Sequence, residues 1–281
     1  MILDGRIIAN IIKDEIKDEI KENGYKINLA VILVGNDEAS KIYIKHKKTA
    51  CEYVGIKILI YELESDIKQD DLLSLIHKLN QDQNITGILV QLPLPNNIDT
   101  VLIMQSINYL KDVDGFHPDN LGSLFINIPR FIPCTPLGII KLLDYYKISV
   151  HGQNCVIIGR SNEVGKPLAL LLTNLNGTVT LCHSQTKNLF DITKTADILI
   201  SAVGKANFIS ADNIKPGVNL IDVGINRDSE TKKICGDIDF DSCINKAKNI
   251  TPVPGGVGPM TIAMLLNNCL LAHKINRRFI K

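Results

Sequence analysis

Apolar residues recur along this chain with two spacings, one helical and one strand-like, and their succession sets out an architecture. Isoleucines at 7, 8, 11, 12, 16 and 20 repeat with helical period, predicting a helix from Ile7 to Ile20 that ends near Gly24. The run from Leu29 to Val34 is apolar throughout and predicts a buried strand. Gly35-Asn36 breaks that strand, and Asn36 or Asp37 caps the next helix, which stops at Gly55. Ile56 to Tyr61 alternates as a strand does, Asp70–Leu79 is helical, and Ile85–Leu92 reads as a third strand. Strands separated by helices in this order predict a parallel sheet covered by helices.

The pattern then pauses. A short helix over Ile98–Ile107 leads to an irregular stretch from Asn120 to Pro133, where Pro129 and Pro133 mark a domain junction. Thr135-Pro136 opens a helix, with threonine as its cap and proline at its first position. Asn154 to Gly159 is a buried strand, followed by the turn from Gly159 to Pro167, a helix at Leu168–Leu172 and a strand at Thr178–Cys182. Two more strands, Asp197 to Gly204 and Val218 to Gly224, each end in glycine, which lets a flat ligand approach the backbone closely. A Pro/Gly-rich loop, Thr251 to Thr261, precedes a helix at Thr261–Ala272 that is apolar enough to pack into a core. That helix is expected to return to the first domain. The expected fold class is α/β: one domain of residues 1–120 completed by 262–281, and a Rossmann-like second domain of residues 121–261.

Composition narrows the function classes. The 281 residues carry 31 basic and 30 acidic side chains, a formal net charge of +1, which gives no ground for nucleic acid or an anionic membrane as main partner. The opening segment has no basic stretch leading into a long apolar core, so no signal peptide is expected, and no apolar run approaches transmembrane length. Seven cysteines without a CxxC pair suggest reduced thiols in the cytoplasm, and no Cys or His spacing suggests a metal site.

Candidate chemistry gathers at the predicted strand ends. Ser40, Tyr43 and Lys47 fall at i, i+3 and i+7, so a hydroxyl, a flat ring and an amine share one helix face beside the end of a strand. Open α/β sheets bind ligands at that place. Gln91, followed by Pro93 and Pro95, ends another strand at the same sheet edge, and its amide can both donate and accept. Taken singly, these residues read as a solvated Lys-rich helix and a satisfied strand-end amide. Asp112 and Asp114 precede Gly115 and suit a turn or a cation site; the further ligands of an EF-hand loop are missing, which discounts calcium. The Gly159-Arg160-Ser161 turn between strand and helix suits a phosphate at a helix N-terminus, although it is not GxGxxG. No acid follows the second strand to take the ribose hydroxyl of NAD, whereas Arg160 and Ser184 suit an added phosphate; the cofactor expected is therefore NADP.

Together these segments resemble the bifunctional methylenetetrahydrofolate dehydrogenase/cyclohydrolases. The motifs are Ser40-x-x-Tyr43-x-x-x-Lys47, Gln91 to Pro95, Lys111 to Gly115, Pro133 to Pro136, Gly159-Arg160-Ser161, Cys182-His183-Ser184 and Pro254 to Pro259, in the family's order across nearly the whole chain. One departure is Glu163, where the family usually has an aliphatic residue; an acid there weakens phosphate binding. The resemblance implies NADP-dependent oxidation of methylenetetrahydrofolate and hydrolysis of the methenyl cation to formyltetrahydrofolate, within one-carbon metabolism and purine biosynthesis. It makes residues 1–120 the folate-binding catalytic domain. It implies catalytic roles for Lys47, Tyr43, Gln91 and Asp114: Lys47 in acid–base chemistry, Gln91 positioning it, Tyr43 stacking on the folate and Asp114 binding the pterin. Ser40, Tyr43, Pro254, Gly255 and Gly256 are the substrate-binding positions, and Gly159, Arg160, Ser161, Ser184, Val203, Gly204 and Ile225 the NADP-binding ones. Asp112 and His183 are expected to be structural, and the family implies a homodimer. Two competing readings are another two-domain NADP dehydrogenase, such as a shikimate dehydrogenase, and a non-catalytic nucleotide-sensing module.

Overall fold

The computed structural model of the chain describes residues 1–228 and 233–279, with side chains described up to residue 276. The chain divides into two compact units, one of Met1–Ala9 and Thr135–Thr261, the other of Asn10–Cys134 and Ile262–Lys281.

Helix α1 spans Gly5–Asn23, and from Asn10 onward it belongs to the second of these units. The same unit holds β1 (Asn28–Val34), α2 (Glu38–Val54), β2 (Lys57–Leu63), α3 (Gln69–Gln81), β3 (Gly87–Val90), α4 (Thr100–Ser106) and α5 (Pro118–Phe125). Its three strands form a parallel sheet in the order β2-β1-β3. The central strand β1 is buried from Leu29 onward, as its unbroken apolar run requires when helices cover both faces. Ala30, Ile32, Leu72, Ile76, Ile88 and Ile103 meet in one core between this sheet and helices α3 and α4.

Several boundaries differ from the sequence reading, each for a local reason. The stretch expected to be irregular from Asn120 begins inside α5, where the His117 side chain caps the Asp119 N–H and Pro118 occupies the first turn. Leu124 on this helix is fully buried, so packing secures a segment whose prolines suggested only a linker. Asp37, rather than Asn36, caps α2, and Gly55 closes it in the left-handed region at φ 86°.

The other unit continues with α6 (Cys134–Tyr145, from Thr135 onward), β4 (Asn154–Ile158), α7 (Gly165–Asn174), β5 (Thr178–Cys182), α8 (Leu189–Thr193), β6 (Ile198–Ser201), β7 (Asn219–Asp222), β8 (Asn226–Arg227), β9 (Ile234–Cys235), α9 (Phe240–Cys243) and β10 (Asn249–Ile250). Five strands run parallel in the order β10-β7-β6-β4-β5, and β8 and β9 form a small antiparallel pair. The order reverses between β4 and β6, which is the switch point of a doubly wound, Rossmann-like sheet. Helix α6 starts one residue before Thr135, so that threonine is not the cap; its hydroxyl lies 2.9 Å from that of Thr261. Helix α10 runs Val257–Phe279 and begins within the Pro/Gly loop, four residues earlier than the apolar pattern indicates. Glycine and proline in a first turn cost little, because the N–H groups there have no intrahelical partner in any case.

Candidate active site

In the unit built on the β2-β1-β3 sheet, α2 leaves the C-terminal end of β1 by a short turn. Asp37 fastens this turn by accepting from the Ser40 N–H and the Ser40 hydroxyl, both at 2.7 Å. The Ser40 side chain is thus engaged in the cap. One face of α2 is buried at Ser40, Ile44, Lys47, Cys51 and Val54, and Tyr43 lies on this side one turn before Lys47. Burial pushes the Tyr43 phenol above its ordinary range, so the ring is neutral at physiological pH.

Lys47 is only 8 % exposed, a rare position for an ammonium. Its Nζ donates to Gln91 Oε1 at 2.9 Å. Gln91 follows β3 and pairs there, its backbone N–H reaching the Ile32 carbonyl, while its Nε2 donates to the Leu92 carbonyl at 2.7 Å. That second bond fixes which end of the amide faces the lysine. The β1–β3 pairing therefore delivers Lys47 and Gln91 to one sheet end.

Asp114 completes the group. Part of the residue reaches solvent, but its carboxyl is enclosed, and desolvation pushes it above the ordinary carboxylate range. The Lys47 charge opposes that shift, the neighbouring Asp112 reinforces it, and a hydrogen bond from Cys134 again favours the charged form. The turn carrying Asp114 is held at both ends. Lys111 Nζ donates to the carbonyls of Leu79, Asn80 and Asp82 at 2.9, 2.8 and 2.8 Å, closing the C-terminus of α3. Asp112 accepts from the Gly115 and His117 N–H groups and from Asn120 Nδ2. On α10, Asn268 donates to the Val113 and Ile132 carbonyls. Three buried thiols, Cys51, Cys134 and Cys269, surround the group, and burial pushes all three up, Cys51 to about 12. They are apolar packing around the amine and the carboxyl, a role that cysteine spacing in the sequence did not reveal. Lys111, Asn268 and the thiols are the site's supports that sequence reasoning missed.

The other unit gathers the remaining positions at the C-terminal ends of adjacent strands. Ile158 pairs with Cys182 and Gly159 N–H donates to the Cys182 carbonyl, so Arg160 and Ser184 follow neighbouring strands as an exposed pair. Val203 and Gly204 lie beyond β6, and Ile225 lies beyond β7. A Cβ on Gly159, at φ 120°, would strike the Ala202 carbonyl, and one on Gly165 would strike the Gly159 carbonyl. The backbone here is packed to a closeness only glycine permits, and it opens onto the ten-residue helix α7. Ser161 Oγ accepts from the Val164 N–H at 3.1 Å, which shapes the turn. His183 Nδ1 accepts from the Gln185 N–H, a turn-forming bond. Pro254, Gly255 and Gly256 also belong to this unit; Gly255 accepts from the Gly5 N–H at 2.9 Å. Tyr43, Lys47, Gln91 and Asp114 are thus brought together in one unit, and the NADP-side positions with residues 254–256 in the other.

Residues 3–114 match the tetrahydrofolate dehydrogenase/cyclohydrolase catalytic domain, and residues 133–277 match the NAD(P)-binding domain of the same family. A relative from Agathobacter rectalis, "Bifunctional protein FolD", is 55% identical over 276 residues, covering 97% of this chain and 99% of that protein. The crystal structure of the bifunctional FolD methylenetetrahydrofolate dehydrogenase/cyclohydrolase from Campylobacter jejuni superposes with a TM-score of 0.95 at 50% identity, covering 98% of this chain and 99% of the other. The Trypanosoma brucei enzyme, solved with NADP cofactor and inhibitor, gives 0.95 at 34% identity, covering 99% and 98%. A shikimate dehydrogenase from Aquifex aeolicus, at 11% identity and a TM-score of 0.53, shares the fold alone. The chain belongs to the tetrahydrofolate dehydrogenase/cyclohydrolase family.

Proposed function

We propose that this protein oxidises methylenetetrahydrofolate with NADP and hydrolyses the resulting methenyl cation to formyltetrahydrofolate. The observation that carries the reading is the buried Lys47–Gln91 pair beside the Asp114 carboxyl. A non-catalytic nucleotide sensor would have no use for such an amine, since burying it costs free energy without a binding return.

NADP, when bound, accepts the hydride that leaves the methylene carbon. What remains on the folate is a cation shared between the two flanking nitrogens. This step asks the protein for alignment, and the neutral Tyr43 ring is suited to hold the flat folate by stacking. Hydrolysis asks for more: water loses a proton as it attacks the cationic carbon, and one ring nitrogen gains a proton as its bond to that carbon breaks. Lys47 in its neutral amine form is suited to take the first proton and, once an ammonium, to give a proton to the leaving nitrogen. Gln91 Oε1 holds the amine in position for both transfers. Asp114 supplies acceptor oxygens for the amino group and ring N–H of the pterin. Arg160 and Ser184 are suited to the additional phosphate that distinguishes NADP from NAD, and Val203, Gly204 and Ile225 to the flat end of the cofactor. Residues Pro254 to Gly256 are assigned to the folate.

The finer reading is a homodimer in the cytoplasm, supplying formyl groups for purine biosynthesis. Seven free cysteines support the compartment. A steady-state assay of both half-reactions tests the function: hydrolysis of methenyltetrahydrofolate without NADP, and NADPH formation from methylenetetrahydrofolate. Absence of either activity would overturn the bifunctional reading.

A further inference from the structure

The cofactor-side unit contains two buried carboxylates that the chemistry above does not use. Asp237, fully buried, follows β9, and Asp222, 3 % exposed, ends β7. Each is cradled by a glycine beside the other: a Cβ on Gly224 would strike Asp237 Oδ1, and one on Gly236 would strike Asp222 Oδ2. Asp222 accepts from the N–H groups of Gly224, Asp237 and Ile238 at 3.0, 2.9 and 2.8 Å, so its work is to hold Asp237 in place.

Asp237 in turn reaches two other segments. Its Oδ2 accepts from the Val203 N–H at 2.7 Å, from the Gly204 N–H at 3.3 Å and from the Ser201 hydroxyl at 3.2 Å. Its Oδ1 accepts from the Lys205 N–H at 2.9 Å and from Asn226 Nδ2 at 2.9 Å. Three successive backbone donors after β6 and one side chain after β7 therefore converge on a single carboxylate. Gly204, in the left-handed region at φ 66°, and Ile225 are both exposed at those strand ends. A loop that meets a ligand with its backbone needs its donors turned inward and satisfied, and a buried anion does this for three at once.

We propose that Asp237 is a positioning residue for the nicotinamide nucleotide, fixing the loops after β6 and β7 in the form that receives it. The proposal rests on the assignment of Val203, Gly204 and Ile225 to the cofactor. Asp237→Asn keeps the shape but replaces one acceptor oxygen with an amino group that faces donors. The KM for NADP should rise about tenfold, the size expected from losing a charge-assisted hydrogen bond. Hydrolysis of methenyltetrahydrofolate in the absence of NADP should keep its kcat and KM, a split that a general loss of structure would not give. Asn226→Ala is the milder variant, should Asp237→Asn not fold; it cuts the link after β7 alone and should raise the KM for NADP about threefold. Unchanged NADP kinetics in a folded Asp237→Asn protein, or in Asn226→Ala where the first does not fold, would overturn the proposal. An equal loss of both activities would overturn it too. Failure of the underlying assignment shows separately, as a wild-type protein that does not use NADP at all.

Discussion

A buried ammonium is costly unless a polar partner receives it, and Lys47 has Gln91. The two half-reactions make different demands on that amine, which makes its removal informative. Lys47→Met has similar length but carries no proton, so hydrolysis should fall by roughly a hundred- to ten-thousandfold. Oxidation should fall much less, and methenyltetrahydrofolate should accumulate; both activities falling together would make Lys47 a binding residue only. Tyr43→Ala should raise the folate KM and leave NADP binding to the free protein nearly unchanged, as followed by fluorescence. A large loss of NADP affinity would contradict the stacking role. Asp222 sets a pH dependence of stability. Burial, aided by the Asp237 carboxylate, raises it from 3.8 to about 7 in the folded chain. The folded form thus keeps a proton that the unfolded chain releases. This contribution is full below about pH 4 and is lost as pH rises to about 7, at up to about 1.4 kcal/mol per pH unit. Denaturant titrations of Asp222→Asn should show a shallower fall over that window than wild type, and parallel slopes would refute the assignment. At this scale Tyr43, Lys47, Gln91 and Asp114 were legible because each sits in a short motif beside a strand end. Asp237 was not, because its partners lie up to 36 residues away in sequence and only the sheet brings them to it.

Elements carry a second kind of constraint, in which one backbone approaches another. The β4–α7 turn is the clearest: Gly159 sits at φ 120°, and any Cβ there meets the Ala202 carbonyl. Gly159→Ala should lower stability by about 2 kcal/mol or more through strain and collision. It should also raise the KM for NADP more than it slows NADP-independent hydrolysis. Thermal unfolding and the two assays together check this, and a fully stable variant with normal NADP kinetics would contradict the packing argument. Strands β1, β4 and β5 were legible from unbroken or alternating apolar runs, since burial on a sheet writes itself directly into composition. Helix α5 and the first turn of α10 were not. Pro118 and Pro259 signal breakage in a sequence, yet each occupies a first turn, where the missing N–H costs nothing.

At the scale of the molecule, two α/β units divide the labour. One buries an amine, an amide and a carboxyl at the end of a three-stranded sheet; the other presents a glycine turn and four strand ends suited to a dinucleotide. Replacing Arg160 by Ala should raise the KM for NADP far more than that for NAD, and equal losses would remove the phosphate assignment. Sedimentation at assay concentrations should give twice the 31.1 kDa chain mass if the homodimer reading is right, and a single chain mass would refute it. The fold class was legible from the alternation of strands and helices. How the site is supported was not, because Lys111, Asn268 and Asp237 act on residues distant in sequence. The purified protein is given methylenetetrahydrofolate and NADP, NADPH is followed by absorbance, and the folate products are separated over the same time course. NADPH and formyltetrahydrofolate should appear in equal amounts, with the methenyl form passing through only transiently. No NADPH above the blank would mean that the protein is not the dehydrogenase, and methenyltetrahydrofolate decaying no faster than it does in buffer would mean that it is not the cyclohydrolase.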